Sequence, residues 1–140
     1  MAKLNPYLNF DGTCEEAFNF YKSVFGGEFL GGIHKMKDIP DMEMPEEAKN
    51  RVMHVGLPVG SDILMGSDVF PGQPFTAGNN NYISIFPESR EEADRLFAAL
   101  ANGGEVEMPM EDQFWGDYFG SLKDKFGVCW MINYNSQNLQ

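Results

Sequence analysis

The sequence predicts an α+β fold in which two βαβββ modules of common design form facing, curved mixed sheets. Three observations predict it. The segment from Tyr7 to Glu28 returns from Tyr82 to Glu105 as a short apolar run, a turn, a Glu-Glu-Ala helix start, an aromatic-bearing helix and a closing Gly-Gly-Glu. The two Glu-Glu-Ala triplets begin at Glu15 and Glu91, an offset of 76 residues in a chain of 140, so each copy opens one half. Each copy is followed by three further strand-like runs. Shorter repeats stack as solenoids, whereas one duplication of a half-domain suggests two equivalent sheets with a ligand site between them.

The elements follow in order. Leu4 to Phe10 is short, apolar and aromatic, and Asp11-Gly12 breaks it, which reads as a strand. Thr13 and Glu16 form a Thr-x-x-Glu capping box, in which the hydroxyl accepts from a free helix-start amide and the glutamate reaches back to the cap amide. Ser89 and Glu92 repeat it. Ala17, Tyr21 and Val24 make one helical stripe with Phe18 and Phe25 beside it, and Ala93, Leu96, Phe97 and Leu100 make another. Both stripes need a sheet to cover. Gly26-Gly27 and Gly103-Gly104 supply the left-handed residues that end helices.

Strand-like runs then span Phe29 to Lys37, Val52 to Val59 and Asp62 to Gly66, with an acidic loop from Asp38 to Asn50 between the first two. In the second half the runs are Glu105 to Met110, Tyr118 to Leu122 and Val128 to Tyr134, with a turn at Trp115-Gly116-Asp117. The stretch 69–78, rich in Pro and Gly, reads as a linker between modules 1–68 and 79–135 of a single domain, residues 1–140.

Bulk properties bound the function. A chain of 140 residues with 43% hydrophobic content can bury its own core. With 21 acidic against 10 basic residues and no basic cluster, phosphate backbones and anionic membrane surfaces are disfavoured, so neither nucleic acid nor a membrane is an expected partner. Cys14 and Cys129 lie one in each half without metal spacing, and no leader-like or long apolar segment is present, so a reduced, cytoplasmic protein is expected.

The duplicated βαβββ pattern, the Asn-Pro-Tyr-Leu-Asn-Phe opening, Phe-Tyr-x-x-x-Phe-Gly-Gly on the first helix, Met53-His54-Val55, Ser67-Asp68, Phe70-Pro-Gly-Gln, Trp115-Gly116 and Asp124-Lys-Phe-Gly-Val-Cys-Trp130 together resemble the PhnB-like branch of the vicinal oxygen chelate superfamily, the glyoxalase/bleomycin-resistance fold. The resemblance covers essentially the whole chain and implies that fold and a homodimer. It leaves function open, because the superfamily includes lyases, isomerases, dioxygenases, thiol transferases and drug-sequestering proteins. Relatives also carry a methyltransferase label from ubiquinone synthesis and a DNA-binding one. Gly-Gly pairs that follow helices rather than open them do not make a nucleotide-type glycine turn, and the acidic balance opposes DNA.

The resemblance further implies a divalent metal held by His, Glu or Gln on the first strand of each half and on the late strands. The residues near those positions are Asn5, Pro6 and Tyr7; Asn80, Asn81 and Tyr82; Leu64 to Ser67; and Cys129 to Asn133. No His or Glu stands among them, and side-chain amides alone hold such ions feebly, so no metal or other cofactor is expected.

The remaining site candidates are Tyr7, His54, Met65, Asp68, Trp115, Phe119 and Trp130, for binding a small apolar or aromatic ligand. On its strand His54 is expected to share a face with Val52 and Gly56; it could hydrogen-bond a ligand or act as a base, or be a structural histidine bonded to a carbonyl or to Asp68. His34 reads as an exposed strand residue. Cys14 sits at a helix start, which lowers a thiol pKa, but beside two glutamates, which raise it. Asp68 and Asp117 follow strands, where turn and capping roles compete with ligand contact. With nine methionines in the chain, a soft lining of Met53, Met65, Met108, Met110 and Met131 with Phe114 suits flat ligands, though such stripes also simply fill a core. Trp115 stands apart because a loop carries it. The leading expectation is a metal-free protein that sequesters or senses a small molecule. The alternatives are a metal-dependent lyase, isomerase or dioxygenase, and a structural dimer without ligand.

Overall fold

A computed structural model of the chain describes residues 1–135. They form two compact units, one running from Met1 to Thr76 and the other beginning at Ala77, a division inside the expected linker 69–78.

The first unit contains β1 (Tyr7–Phe10), α1 (Cys14–Phe25), β2 (His34–Lys35), a 3₁₀ turn at Met36–Asp38, α2 (Glu46–Lys49), β3 (Val52–Val59) and β4 (Asp62–Asp68). The second contains β5 (Ile83–Ile85), α3 (Arg90–Ala101), β6 (Glu105–Asp112), β7 (Tyr118–Lys123) and β8 (Cys129–Tyr134). The sheets run β1-β4-β3-β2 and β5-β8-β7-β6. In both, the strand before the long helix pairs parallel with the last strand, and the other pairs are antiparallel. The two sheets therefore have one topology, as the repeat requires.

Each long helix covers one sheet face. In α1 the buried residues are Cys14, Ala17, Phe18, Tyr21 and Val24, spaced three and four apart as an apolar stripe demands. In α3 they are Ala93, Leu96 and Leu100. Each helix also sets an aromatic ring where a strand has no side chain. A Cβ on Gly66 would lie 2.5 Å from Phe18 Cε1, and one on Gly120 would lie 2.8 Å from Phe97 Cε2. Phe18 meets Phe10 and Tyr21 edge-on, with centroids 6.2 and 5.4 Å apart. Opposite α1 lie Phe10, Val55, Leu57 and Leu64, and the second sheet contributes Leu122, Trp130 and Ile132 to its buried core. Full burial of each such side chain stabilises by about 1.5–3 kcal/mol.

Two buried aspartates tie loops to this core. Asp68 Oδ1 accepts from the Gly12 and Cys14 amides at 2.8 and 3.0 Å, and its Oδ2 accepts from the Val52 amide at 2.9 Å. In the second unit Asp124 Oδ1 accepts from the Phe126 and Val128 amides, and Oδ2 from Trp130 Nε1 at 2.8 Å.

Several expectations need correction. Thr13 makes no side-chain cap bond; Asp68, distant in sequence, takes its place at the start of α1. Ser89 does cap α3, accepting from the Glu92 amide at 3.1 Å, but Glu92 accepts from the Glu88 amide, one residue further back than a capping box requires. The run Phe29 to Lys37 is not one strand. Gly31 and Gly32 adopt φ of +68° and +78°, which breaks the extended chain, and a 3₁₀ turn begins at Met36. Leu4 to Pro6 lie outside β1, and the acidic loop contains α2. Gly26 and Gly103 are left-handed as expected, whereas Gly104 is needed because a Cβ there would collide with the Lys123 carbonyl.

The face expected for His54 also changes. His34 pairs with His54 and Lys35 with Val52, so Met53 is an extra residue on β3. This bulge resets the alternation and lets Val52 and Val55 both be fully buried. His54 is separated from Val52 and stays with Gly56.

Candidate functional site

The faces that the helices leave open follow from strand alternation. In the first sheet Leu8, Phe10, Val55, Leu57, Leu64 and Gly66 point to α1, so Tyr7, His54, Gly56, Ile63, Met65 and Ser67 point the other way. Tyr7 is the parallel partner of Met65, and Met65 is the antiparallel partner of Gly56. Gly56 leaves a hollow. A Cβ there would sit 3.4 Å from Ile63 Cγ2, 3.8 Å from Met65 Cγ and 3.9 Å from Leu30 Cδ1, so these three apolar side chains converge over it. Tyr7 Oη and His54 Nδ1 are 3.4 Å apart, with ring centroids 5.9 Å apart and planes tilted by 32°. An apolar floor thus carries a polar pair able to donate or accept, depending on the imidazole tautomer. Tyr7 is 46% exposed and Leu30 50%, so this face is within reach of a small molecule.

Asp68, a candidate ligand residue, instead faces the helix layer. It is buried, both oxygens are occupied by main-chain amides, and it does not touch His54 in the manner a structural pairing required. Trp130 is likewise a core residue, 1% exposed, with its indole N–H donating to Asp124. Neither presents surface to a ligand.

Phe119 lies on the open face of the second sheet, as the cross-strand partner of Asn133. Asn133 Oδ1 is buried and, among the described residues, has no hydrogen-bond partner. Just before β5, Tyr82 Oη donates to Glu107 Oε1 of β6 at 2.8 Å, and that bond raises the phenol pKa. Tyr82 is the counterpart of Tyr7 in the repeat, and aligning the two copies is the signal that could have flagged it. Leu30, also missed, carried no signal, because only the fold brings it to Gly56.

Trp115 is on the loop between β6 and β7, half-exposed, with Nε1 donating to Asp117 Oδ2 at 2.9 Å and its ring edge-on to Phe114, which is 98% exposed. Asp117 Oδ1 also accepts from Asn135 Nδ2. Hydrogen bonds from Asn135 first, and from Asn133 and Trp115, hold this carboxyl below the usual carboxylate range. Its lone pairs serve the loop. Of the soft residues, Met53 and Met108 are exposed and Met110 packs against Gly120 beneath α3.

Cys14 is fully buried, and burial, followed by the Asp68 and Glu15 charges, pushes its thiol pKa far above the ordinary range. Burial also raises that of Cys129, with Glu107 adding to it. Burial and a raised pKa both disfavour the thiolate form that a nucleophilic cysteine needs.

The donors on the open faces do not fit the metal that the fold implies. At the first and last strands of each unit they are phenol, thioether, hydroxyl and amide groups from Tyr7, Met65, Ser67, Ser84, Met131 and Asn133, with one thiol, Cys129, which is buried and has its pKa raised by that burial. Among the described residues no three His, Cys, Asp or Glu side chains are grouped to hold a metal ion.

Two copies of a β-α-β-β-β sheet, each with one helix-covered and one open face, define a protein of the glyoxalase/bleomycin-resistance fold. The fosfomycin resistance protein FosX of Listeria monocytogenes shares it with a TM-score of 0.64 over 96% of this chain and 92% of its own, at 12% identity. The chain belongs to the family described as 3-demethylubiquinone-9 3-methyltransferase, whose family model matches residues 2–133. It is similar to protein PA1353 of Pseudomonas aeruginosa, with 41% identity and a TM-score of 0.86 over 96% of this chain and 98% of that one. The PhnB protein of Bacillus cereus is 28% identical with a TM-score of 0.77, over 95% and 99% of the two chains.

Proposed function

We propose that this protein binds a small, flat, apolar or aromatic molecule reversibly, to sequester or sense it, on the open sheet face carrying Tyr7, His54 and Met65. The observation that supports this most is the Tyr7–His54 pair beside the apolar hollow at Gly56. An aromatic ring and a thioether favour a planar ligand by stacking and dispersion, and one phenol–imidazole pair suffices to orient a polar substituent. The family description names a demethylubiquinone, a substituted quinone whose flat ring is of the same class. The methyl-transfer half of that description has no counterpart among the residues of this face.

We further propose that the two modules work as one domain and that the chain forms a homodimer without nucleic-acid or membrane partners. Exposed apolar residues on both units, including Met42, Phe86, Val106 and Phe114, are the kind of surface an oligomer covers. Among the described residues no helix is long and apolar enough to cross a membrane. Two free, buried thiols suit a reducing compartment such as the cytoplasm.

The test is isothermal titration with a panel of quinones and fused-ring aromatics, on the parent protein and on Tyr7→Ala and His54→Ala. A ligand should bind the parent and lose about tenfold or more in affinity with each substitution, equivalent to about 1.4 kcal/mol. Equal affinity of all three proteins would refute the assignment of this face.

A further inference from the structure

The chain has only two histidines, and β2 and β3 place them directly opposite each other. We infer that His34 and His54 form a two-imidazole site for a divalent transition cation of the zinc, nickel or copper class, with solvent completing the coordination sphere.

Side chains of an antiparallel cross-strand pair share a face with Cβ atoms about 4.5–5.5 Å apart. That separation lets two imidazoles converge on one ion at nitrogen–metal distances of about 2.0–2.1 Å. Imidazole suits zinc, nickel and copper, whereas magnesium and calcium want oxygen donors. Both rings have nitrogens to spare. His54 meets Tyr7 through Nδ1, which leaves Nε2 for the ion and gives the ring the kind of outer hydrogen bond that orients metal-binding histidines. His34 is exposed and, among the described residues, its ring has no hydrogen-bond or ion-pair partner. Its Nε2 lies over Gly31, 3.3 Å from where a Cβ would be, so a side chain at that position would crowd the nitrogen. The bulge at Met53 aims His54 to this face.

The site is separate from the positions where the fold implies a metal, because it uses the β2–β3 edge rather than the first and last strands. It also has a structural consequence. Strand β2 is two residues long and pairs with β3 at His34 and Lys35 alone, so an ion held by both imidazoles would clip the edge of the sheet. A ligand bound only by the folded state raises the unfolding midpoint.

The experiment is titration of the metal-free protein with NiCl2 and ZnCl2, read by calorimetry and by thermal unfolding, with MgCl2 as control. One nickel or zinc ion per chain should bind and raise Tm. His34→Ala and His54→Ala should each weaken binding at least about tenfold and abolish the Tm increase, while Tyr7→Phe keeps the stoichiometry and weakens binding by less. His34 is exposed, so its replacement leaves the fold intact. No binding by the parent protein would overturn the proposal, and so would an unchanged affinity in either histidine variant. Neither result would bear on the aromatic-ligand face, which is tested with organic ligands in the absence of metal.

Discussion

Replacing Asp68 tests the link between local chemistry and fold most sharply. Its carboxylate accepts three main-chain amides, from Gly12, Cys14 and Val52, within a buried site that joins β1, α1, β3 and β4. In Asp68→Ala the Cys14 and Val52 amides are buried and lose their acceptor, at about 1–3 kcal/mol each, while water can reach the Gly12 amide. Loss of the helix cap adds about 1 kcal/mol. The sum is about 3–7 kcal/mol, a large part of the about 5–15 kcal/mol by which domains are stable. A chain of this size should lose on the order of 10 °C in Tm. Asp68→Asn is the finer probe. Its oxygen can keep the two helix-start amides, but its NH2 would then face the Val52 N–H, so it should cost about 1.5–3 kcal/mol. Urea denaturation followed by circular dichroism measures both. Thr13→Ala is the internal control and should change stability by less than about 0.5 kcal/mol, because Thr13 makes no side-chain cap bond. A Thr13→Ala variant more destabilised than Asp68→Asn would refute the reasoning.

Other outcomes follow from the same geometry. Gly66→Ala would place a Cβ 2.5 Å from Phe18 Cε1 and 2.9 Å from the Leu8 carbonyl, and should cost about 1–3 kcal/mol in the same denaturation assay. Cys14 should resist thiol reagents at neutral pH in the folded protein and react on unfolding, which a timed colorimetric thiol assay would show. The Asp117 carboxyl has a folded pKa below its ordinary value of 3.8, so its contribution to stability is present above that pH and is lost as the pH falls through the lower folded value. Below pH 3.8 the parent should therefore lose stability more steeply than Asp117→Asn in acid-unfolding curves.

The parts of the fold legible in the sequence were those set by local periodicity. The stripes of α1 and α3, the glycine stops after them and the β3 run Val52–Val59 all emerged from residue spacing. What escaped were features made by distant partners. Thr13 and Glu16 had the spacing of a capping box, but the buried Asp68, more than fifty positions along the chain, is a charged acceptor and takes the helix-start amides instead. Phe29 to Lys37 looked like a strand because its apolar content outweighed Gly31-Gly32, whose positive φ ends the extended path. Of the candidate site, Tyr7, His54, Met65 and Phe119 lie on open faces, and Trp115 lies on an exposed loop. Asp68 and Trp130 were drawn into the helix layers because strand parity near them depends on register. The facing of His34 with His54 was hidden for a similar reason, since the bulge at Met53 leaves no mark in a one-dimensional pattern.

The central claim is that the helix-free face of the first sheet is the ligand-binding face. The nine methionines provide the most direct measurement of it, through 13C-methyl NMR during titration with a planar aromatic ligand. The Met65 methyl should show the largest ring-current shift, saturating with the calorimetric isotherm, while the buried Met36 methyl stays in place. A bound ligand that left Met65 unmoved and shifted methionines elsewhere would contradict the account.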